Sequence, residues 1–412
     1  MITKEQFEEL AGIKLVEVDG KLFFGGILDL ENKNIQELPD NLFIYRDLNL
    51  RNSGVTKLPK GLEVGGTLNI SGTEIEELPE DTKFGDGLYI NDMKKPFSFP
   101  KVVKKVQFFE CKSTIIKHMP EEIYVKWKCD FSYSTFDKLP KVIEVGFELS
   151  CKGSSLTEFP DIKKEIYCYI NLSKSNITKL PKHFTVYRNL MLSDTPIKEL
   201  PKGLIVGVVL DLRNANLKDY SNLHKVCTKF IVNGRKYDEI KNTLTKHSIE
   251  RFFDIRDTTV YITFEPNYKG AYLFENENGR YIKADGIFGK IIEQKGNVYY
   301  VKLGKSEEIS YLVTDGNSRW VHDYTLDKAK DELLFKINKR NKDDYKDLTL
   351  DSELSFEDAI MCYRVITDAS KHINSVFDKN KKDRYTIKEI IKITKDEYGG
   401  RIFKDFFRKK RH

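Results

Sequence analysis

The sequence of 412 residues predicts a repetitive β-solenoid in its first half and an α+β domain in its second half. Two observations support this division. A motif of about twenty residues recurs over residues 25–221, whereas residues 256–412 contain β-branched and aromatic runs followed by segments with helical periodicity. Residues 1–24 are expected to form an N-terminal cap, and residues 222–255 a C-terminal cap or linker.

The clearest marker of the repeat is an apolar residue followed by proline. It occurs nine times, from Leu38-Pro39 to Leu200-Pro201, at intervals of 20 or 21 residues. Most markers are preceded by two apolar residues, at ten and eight positions before the marker, as Leu48 and Leu50 precede Leu58. This alternation predicts one short strand per repeat with one buried face. Because a single unit buries too little apolar surface, about ten units are expected to stack around one core.

This pattern resembles the leucine-rich-repeat family in the short form found in bacterial and bacteriophage proteins. The segment Leu58 to Pro79, LPKGLEVGGTLNISGTEIEELP, is very similar to the tandem arrays of such proteins. Where that family usually places asparagine after the strand, this chain mostly has serine or threonine. These residues are Ser53, Thr73, Thr114, Ser134, Ser154, Ser175 and Thr195. A hydroxyl is able to satisfy buried backbone groups at a turn, so we expect the ladder to persist.

The side of the solenoid away from these strands is expected to be extended chain, because the units are short and proline discourages helix there. At the N-terminus, residues Thr3 to Leu10 predict a short helix, and Asp19-Gly20 predicts the turn of a hairpin. After the last repeat, a helix over Tyr237 to Lys246 is expected to cover the open end of the core.

The second half predicts an antiparallel meander of about five strands between Thr258 and Tyr324, then three or four helices. Thr325 is expected to cap a helix that runs to Ile337. Ser355 opens another, whose apolar face continues to Phe377. Thr386 and Glu389 have capping-box spacing and start a further helix, which is expected to end near Gly399-Gly400, and the chain closes with a basic helix.

Three segments of the second half resemble a C-terminal module of phage and gut-bacterial proteins that carry such repeats. The segments are Tyr311 to Ile337, Lys346 to Thr367 and Tyr385 to Phe407. No activity is attached to that module, so the resemblance implies a lineage and no mechanism.

Composition excludes several classes of protein. No stretch approaches the roughly 18 apolar residues that a membrane helix needs, and the N-terminus has no apolar signal segment. Six sparse cysteines without a CxxC pair favour a reducing compartment, so a cytoplasmic location is expected, in the host if the protein is phage-encoded. The net charge of +6 is concentrated in residues 378–412, where 13 Lys and Arg stand against 6 Asp and Glu.

The sequence contains no motif that we interpret as catalytic or metal-binding, and no cofactor is expected. The sequence has no phosphate-loop, GxSxG or HExxH motif, and its second half has no Cys-x-Asp loop of the kind that cysteine-based ubiquitin ligases use. The cysteines Cys111, Cys129 and Cys151 occupy inward repeat positions, where burial is the simpler interpretation. The most concentrated group of unusual residues is Asp315, Trp320 and His322, which would either line a pocket or pack at a strand edge.

The basic C-terminus mixes cations with phenylalanines. The cations are Arg401, Lys404, Arg408, Lys409, Lys410 and Arg411. In one interpretation Phe403, Phe406 and Phe407 dock the last helix and the cations are merely solvated. In the other, the cations contact nucleic acid or an acidic protein.

In leucine-rich repeats the strands line a concave face, and the residues between the inward leucines point out onto it. The resemblance therefore implies a binding face with mixed polar and aromatic residues. We predict that it comprises Tyr45, Asn49, Arg51, Asn69, Tyr89, Glu110, Asp130, Tyr167, Asn171, Tyr187, Met191 and Arg213. Tyr167 and Tyr187 are the predicted anchors, because tyrosine and arginine dominate the energy of many protein interfaces.

The sequence thus predicts a non-catalytic interaction protein, of phage origin, that binds a protein partner through this face. A nucleic-acid groove is expected to be uniformly basic, and this face is not. The alternative is that the repeats recruit a target for an enzyme or nucleic-acid-binding module in the second half. That alternative depends on the Asp315, Trp320 and His322 group and on the basic C-terminus.

Overall fold

The computed structural model describes residues 2–161, 165–244, 248–254, 259–337, 341–369 and 373–408. The chain divides into two compact units. The first comprises Met1–Glu293 and Val301–Ile309, and the second comprises Gln294–Tyr300 and Ser310–His412. The first unit therefore extends beyond the repeats and includes the strands that follow them.

Up to the last repeat, the described residues form one helix and twenty strands, most of them short. They are α1 (Lys4–Ala11), β1 (Val16–Val18), β2 (Lys21–Phe24), β3 (Leu28–Asp29), β4 (Leu42–Ile44), β5 (Leu48–Asn49), β6 (Glu63–Val64), β7 (Leu68–Asn69), β8 (Lys83–Phe84), β9 (Gly87–Tyr89), β10 (Phe97–Ser98), β11 (Val102–Glu110), β12 (Ile116–His118), β13 (Glu122–Asp130), β14 (Val142–Val145), β15 (Glu148–Ser150), β16 (Tyr169–Asn171), β17 (Thr185–Val186), β18 (Leu190–Met191), β19 (Ile205–Val206) and β20 (Leu210–Asp211).

The remaining elements alternate between strands and helices. They are a 3-10 turn (Leu223–Lys225), β21 (Lys229–Asn233), α2 (Gly234–Leu244), β22 (Ser248–Asp254), β23 (Thr259–Phe264), β24 (Tyr272–Asn276), β25 (Gly279–Ala284), β26 (Ile287–Lys295), β27 (Val298–Lys302), β28 (Ile309–Thr314), β29 (Trp320–Asp323), α3 (Leu326–Ile337), a 3-10 turn (Lys342–Tyr345), β30 (Glu353–Ser355), α4 (Phe356–Thr367), α5 (Asn374–Lys379), β31 (Arg384–Thr386), α6 (Ile387–Ile393) and α7 (Gly400–Arg408).

The repeat region folds as a β-solenoid of about ten coils, as the sequence predicts. One strand from each coil joins a long parallel sheet, in the order β3, β5, β7, β9, β11, β13, β15, β16, β18 and β20. The second strand of several coils forms shorter parallel sheets, of which β2, β4, β6 and β8 are part of one. Among the described residues of 25–221 there is no helix, which confirms the expected extended chain.

The core of the solenoid is made by the paired apolar residues of each long-sheet strand. Leu48, Leu50 and Leu68 are fully buried, and the corresponding cysteines Cys111, Cys129 and Cys151 are buried as well. Because each coil contributes so few residues, its side chains are covered mainly by those of the two neighbouring coils. All six cysteines of the chain are free thiols and buried.

Hydroxyl groups at the turn after the strand satisfy buried carbonyl groups, as expected from the repeat. Thr73 Oγ1 donates to the Ile70 carbonyl at 2.7 Å, and Thr195 Oγ1 donates to the Leu192 carbonyl at 2.7 Å. In the middle of the solenoid the bonds also connect coils, since Ser134 Oγ donates to the Cys111 carbonyl at 2.6 Å. The Ser and Thr residues therefore satisfy buried backbone groups both within a coil and between coils.

Both ends of the solenoid core are capped. At the N-terminal end, Thr3 and Gln6 form a capping box that begins α1, and Phe7 packs into the core. Strands β1 and β2 form the predicted hairpin. At the other end, α2 contributes Tyr237 and Ile240 to the same core, and β21 adds a parallel strand to β20. The helix is predicted to end at Lys246; α2 reaches Leu244, and residues 245 and 246 lie outside the described part of the chain.

Strands follow the last coil in both units, and the pairs within each unit are antiparallel. In the first unit β21 and β22 both pair with β23, and β25 pairs with both β24 and β26. In the second unit β28 pairs with β29, and β30 with β31. The second unit also contains helices α3 to α7, whose core includes Tyr363, Phe377 and Phe403.

Helix α3 runs to Ile337 as predicted, whereas two later helices of the second unit are shorter than predicted. The helix that begins at Ser355 ends at Thr367, because Asp368 takes a left-handed conformation, and the apolar residues up to Phe377 belong partly to the separate helix α5. The helix that begins at Thr386 ends at Ile393, where buried Thr394 bonds the Ile390 carbonyl. Gly399-Gly400 therefore introduces α7 instead of ending the preceding helix.

We predict that Ser134→Ala destabilises the solenoid. Ser134 is 1% exposed, and its hydroxyl donates to the Cys111 carbonyl and accepts from the Thr114 backbone N–H at 3.0 Å. Its removal leaves two buried backbone groups unsatisfied, at a cost of about 1–3 kcal/mol in the free energy of unfolding. Urea denaturation measures this, and the exposed Thr157→Ala serves as the matched control. Equal midpoints for the two variants would contradict the role of the ladder.

Candidate binding face

The outward residues of the long sheet form a continuous strip across ten coils. The first column of the strip lies between the inward apolar residues, and strand pairing sets its members side by side. It contains Asp29, Asn49, Asn69, Tyr89, Glu110, Asp130, Ser150, Asn171, Met191 and Asp211. The second column, two residues further along each coil, includes Arg51, Lys112, Lys152 and Arg213. We refer to these two columns as the strip.

The middle of the strip is a network of paired charges. Lys112 Nζ lies 2.6 Å from Glu110 and 3.8 Å from Asp130, whose carboxylate is also 3.0 Å from Lys128. Asp130 is only 5% exposed and accepts a further bond from the Ser132 backbone N–H at 2.9 Å. Because cations and carboxylates alternate and neutralise each other, the strip is polar without a strong net charge at its centre.

Side chains are fixed in the same way at the two ends of the strip. Asn49 Nδ2 donates to Asp29 and to Glu31, both at 3.0 Å. At the other end, the guanidinium of Arg213 holds the fully buried Asp211, with Nη2 to Oδ2 at 2.8 Å. Here a hollow of about 540 Å³ is lined by Tyr169, Asn171 and Met191, among others. The strip is therefore an ordered polar surface over its whole length.

Three of the predicted face residues lie elsewhere. Tyr45 follows β4, a strand of the shorter sheet, and is 65% exposed there. Tyr187 follows β17, also outside the long sheet, and is only 6% exposed. Tyr167 lies beside it, with ring centroids 4.6 Å apart. The prediction that these tyrosines share one exposed face with Asn49 and Asn69 is wrong, because they stand before the point where each coil enters the long sheet.

Tyr167 and Tyr187 instead contact a carboxylate that sequence analysis missed. Glu165 Oε2 accepts from Tyr187 Oη at 2.8 Å and from Tyr167 Oη at 3.1 Å. Its other oxygen accepts from Tyr281 Oη at 2.6 Å and from Lys290 Nζ at 2.9 Å. Glu165 therefore joins coils of the solenoid to β25 and β26.

We refer to residues 272–293, which include β24, β25 and most of β26, as the strand arm. Besides the contacts of Glu165, several other contacts connect it to the solenoid. Asn276 Nδ2 donates to the Gly203 carbonyl at 2.9 Å, and Lys283 Nζ donates to the Gly207 carbonyl at 2.8 Å. Phe288 packs on Tyr187 with ring centroids 5.1 Å apart, and a Cβ at Gly207 would stand 2.7 Å from the Phe288 ring. Glycine at position 207 thus permits the close approach of the arm.

No feature of the sequence around Glu165 marks it as the centre of this cluster. Its hydrogen-bonding partners Tyr281 and Lys290 lie 116 and 125 residues further along the chain. The glycine at position 207 gives no unique signal either, because Gly65, Gly85 and Gly146 recur at the same repeat position and approach the backbone of a preceding coil.

The predicted pocket residues of the second unit have separate roles. The Asp315 carboxylate accepts from the backbone N–H of Asn317 at 2.9 Å and from Arg319 Nη1 at 3.0 Å, so it stabilises its own turn. These contacts lower the pKa of Asp315. Trp320 is 4% exposed, and its ring packs 5.3 Å from that of Tyr299. His322 is half-buried on the same strand, β29. Asp315 therefore stabilises a turn, and Trp320 packs inside its own unit.

The basic C-terminal helix separates its apolar and charged side chains. Phe403 and Phe407 are buried, and the Phe403 ring lies 4.9 Å from that of Tyr363. Arg401, Lys404 and Arg408 are exposed. Lys409, Lys410 and Arg411 lie outside the described residues. The helix is thus docked by its phenylalanines, and whether its cations contact a partner stays a prediction.

The thiols are buried, and burial changes their acidity. Burial raises the pKa of Cys168 and of Cys362 to about 12, so both are protonated at neutral pH. Within the described ranges, no three His, Cys, Asp or Glu side chains are grouped as a metal site requires. No helix in the described part of the chain is long and apolar enough to cross a membrane.

Comparison with known proteins adds no assignment. No family model, curated protein or solved structure matches the chain.

We predict that Glu165→Gln destabilises the first unit in a pH-dependent way. Burial raises the pKa of Glu165, but hydrogen bonds from Tyr281, Lys290 and Tyr187 outweigh burial, so the pKa lies below its usual value of 4.5. The ionised group therefore stabilises the fold above about pH 4.5, and this contribution is lost as pH falls through the lowered pKa. At neutral pH the variant is expected to lose about 1–3 kcal/mol.

Urea denaturation across a series of pH values measures this difference. The gap between wild type and Glu165→Gln is expected to narrow as the buffer becomes acidic. Glu158→Gln is the matched control, since Glu158 is 62% exposed in its side chain and pairs only with Lys179 among the described residues. A gap that stays constant down to strongly acidic pH would show that the carboxylate charge does not matter.

Proposed function

We propose that this protein is a non-catalytic interaction protein of the leucine-rich-repeat type that binds a protein partner through the strip. The observation that carries the proposal is the strip itself, an in-register array of polar side chains across ten coils. Its centre alternates Glu110, Lys112, Lys128 and Asp130, and these charges are held in place by each other. Such preorganisation lowers the entropic cost of binding and favours a partner with complementary charges.

A protein partner fits the strip better than nucleic acid does. A continuous phosphate backbone would meet Asp29, Glu110, Asp130 and Asp211, which recur along the first column. A protein surface is able to present both charge signs and amide groups, as this strip does. The free thiols agree with a reducing compartment such as the cytoplasm, and phage origin remains part of the proposal through the repeat resemblance.

The alternative function, an enzyme or nucleic-acid-binding module in the second unit, stays a prediction. Its proposed pocket residues Asp315 and Trp320 are occupied by contacts within their own unit. The exposed cations Arg401, Lys404 and Arg408 are compatible with it but do not favour one ligand.

The test is affinity capture with variants of the strip. We expect Asn69→Arg and Asn171→Arg, made together, to weaken partner capture at least about tenfold, because two long cations disrupt the polar surface. Both asparagines are half-buried outward residues, so the fold is expected to tolerate the change. Quantitative mass spectrometry of proteins captured from lysate measures the loss.

The matched control places arginines on the exposed Thr56 and Thr157, which lie between the turn ladder and the proline marker. Thr56→Arg with Thr157→Arg is expected to capture the same partner as wild type. Capture that is equal for both double variants would contradict the assignment of the strip, and loss with both would show a general effect of charge.

A further inference from the structure

A cleft of about 900 Å³ opens beside the strip, at the corner where the coils enter the long sheet. On the solenoid side it is lined by Phe147, Arg188 and Val208. On the other side are Lys283 and Phe288 of the strand arm and the following segment with Lys305. All of these residues belong to the first unit.

The rim of this cleft exposes apolar surface. Phe147 is 49% exposed and Val208 is 40% exposed, although most residues of their type in the solenoid are buried. The Phe147 backbone N–H bonds the carbonyl of Trp127 on the neighbouring coil, and Trp127 is itself 45% exposed. Exposed apolar clusters of this kind mark sites where another molecule docks.

The cleft carries an excess of positive charge. Arg188, Lys283 and Lys305 line it, against the single carboxylate of Glu148. Among the described residues no carboxylate lies within ion-pair distance of the three cations. The Arg188 guanidinium instead stands 5.4 Å from the centre of the Phe147 ring, and Lys283 Nζ bonds only neutral groups, the Gly207 carbonyl and Thr228 Oγ1. The cleft thus lacks the counter-charges that neutralise the strip.

Burial disfavours the charged form of both signs in this cleft. It lowers the pKa of Lys283, for which no anionic partner is found among the described residues, and it raises the pKa of Glu148, the one acid among the described lining residues. An incoming carboxylate would therefore interact with cations in a partly desolvated site, where charge pairs are stronger than in open solvent.

We propose that this cleft binds an acidic polypeptide segment with apolar side chains. The carboxylates of the segment pair with Arg188 and Lys305, and its apolar side chains cover Phe147 and Val208. The inference rests on the proposed function in taking the partner to be a protein, and it adds the chemistry of the segment that the partner inserts next to the strip. Tyr169, which lines both the cleft and the hollow of the strip, connects the two surfaces.

Nucleic acid satisfies the cleft less well than a polypeptide. Its phosphates would pair with the same cations and its bases would stack on Phe147. Further along the strip, however, a polyanionic chain meets the half-buried carboxylate of Glu110 and the exposed carboxylate of Asp29. The acidic stretch of a peptide, unlike a phosphate backbone, is able to end before it reaches these carboxylates.

The experiment measures the fluorescence anisotropy of a short labelled peptide of alternating glutamate and phenylalanine, with the full-length protein at low ionic strength. We expect saturable binding that weakens at least about tenfold with Arg188→Glu, and that also weakens when glutamine replaces the peptide's glutamates. Phe147→Ala is expected to weaken it as well. Both substituted residues are exposed, and circular dichroism verifies that the variants fold.

The matched control is Arg46→Glu. Arg46 is exposed and occupies the repeat position of Arg188 in an early coil, away from the cleft, so its reversal is expected to leave peptide binding unchanged. The inference is overturned if wild type does not bind the peptide, if Arg46→Glu loses as much as Arg188→Glu, or if labelled oligothymidylate binds more tightly with the same dependence on Arg188.

These outcomes are separable from the proposed function. Absence of peptide binding, with capture still sensitive to Asn69→Arg and Asn171→Arg, overturns the cleft alone. Peptide binding that depends on Arg188, with capture insensitive to those strip variants, supports the cleft and overturns the strip.

Discussion

Each coil of the solenoid depends on its two neighbours, and this constraint governs the rest of the first unit. The strands of the long sheet are often only two residues long, as in Leu48–Asn49. Their backbone groups pair with the next coil, with Leu50 N–H to the Asn69 carbonyl at 2.7 Å. The core leucines are likewise covered by those of the next coil. Two coils contain one extra residue, yet Tyr89 still pairs with Glu110 and Ser150 with Asn171, so the insertion is absorbed outside the sheet.

The same constraint explains what the sequence could predict. Where a feature depends on residues of one coil or one helix turn, the prediction is confirmed: the strand in each repeat, the hydroxyl ladder, and the helix starts at Thr3, Ser355 and Thr386. The column from Asp29 to Asp211 follows from the strict period. The helix ends in the second unit were harder to predict from the sequence. Asp368 and Thr394 end the helices through backbone conformation and buried contacts, without a proline.

Contacts between residues far apart in the sequence could not be predicted. Tyr167 and Tyr187 carry the residue type that dominates many interfaces, but Glu165 accepts from both hydroxyls, and the rings of Tyr281 and Phe288 pack against Tyr187. An aromatic residue beside a buried carboxylate is better interpreted as part of a contact within the protein than as an anchor for a partner. Tyr187 packs against the strand arm with Tyr167 beside it, and the binding surfaces that we propose are instead the polar strip and the cationic cleft with Phe147 at its rim.

The strand arm covers the Tyr187 cluster and leaves Tyr45 and Trp127 of the solenoid exposed. Hydroxyl-radical footprinting with mass spectrometry tests this arrangement directly on the unmodified chain. The structure predicts rapid oxidation of Tyr45 and Trp127, which are 65% and 45% exposed, and strong protection of Tyr187 and Tyr281, which are 6% and 0% exposed. Oxidation of Tyr187 at a rate equal to that of Tyr45 would show that the arm does not cover it and would contradict this account.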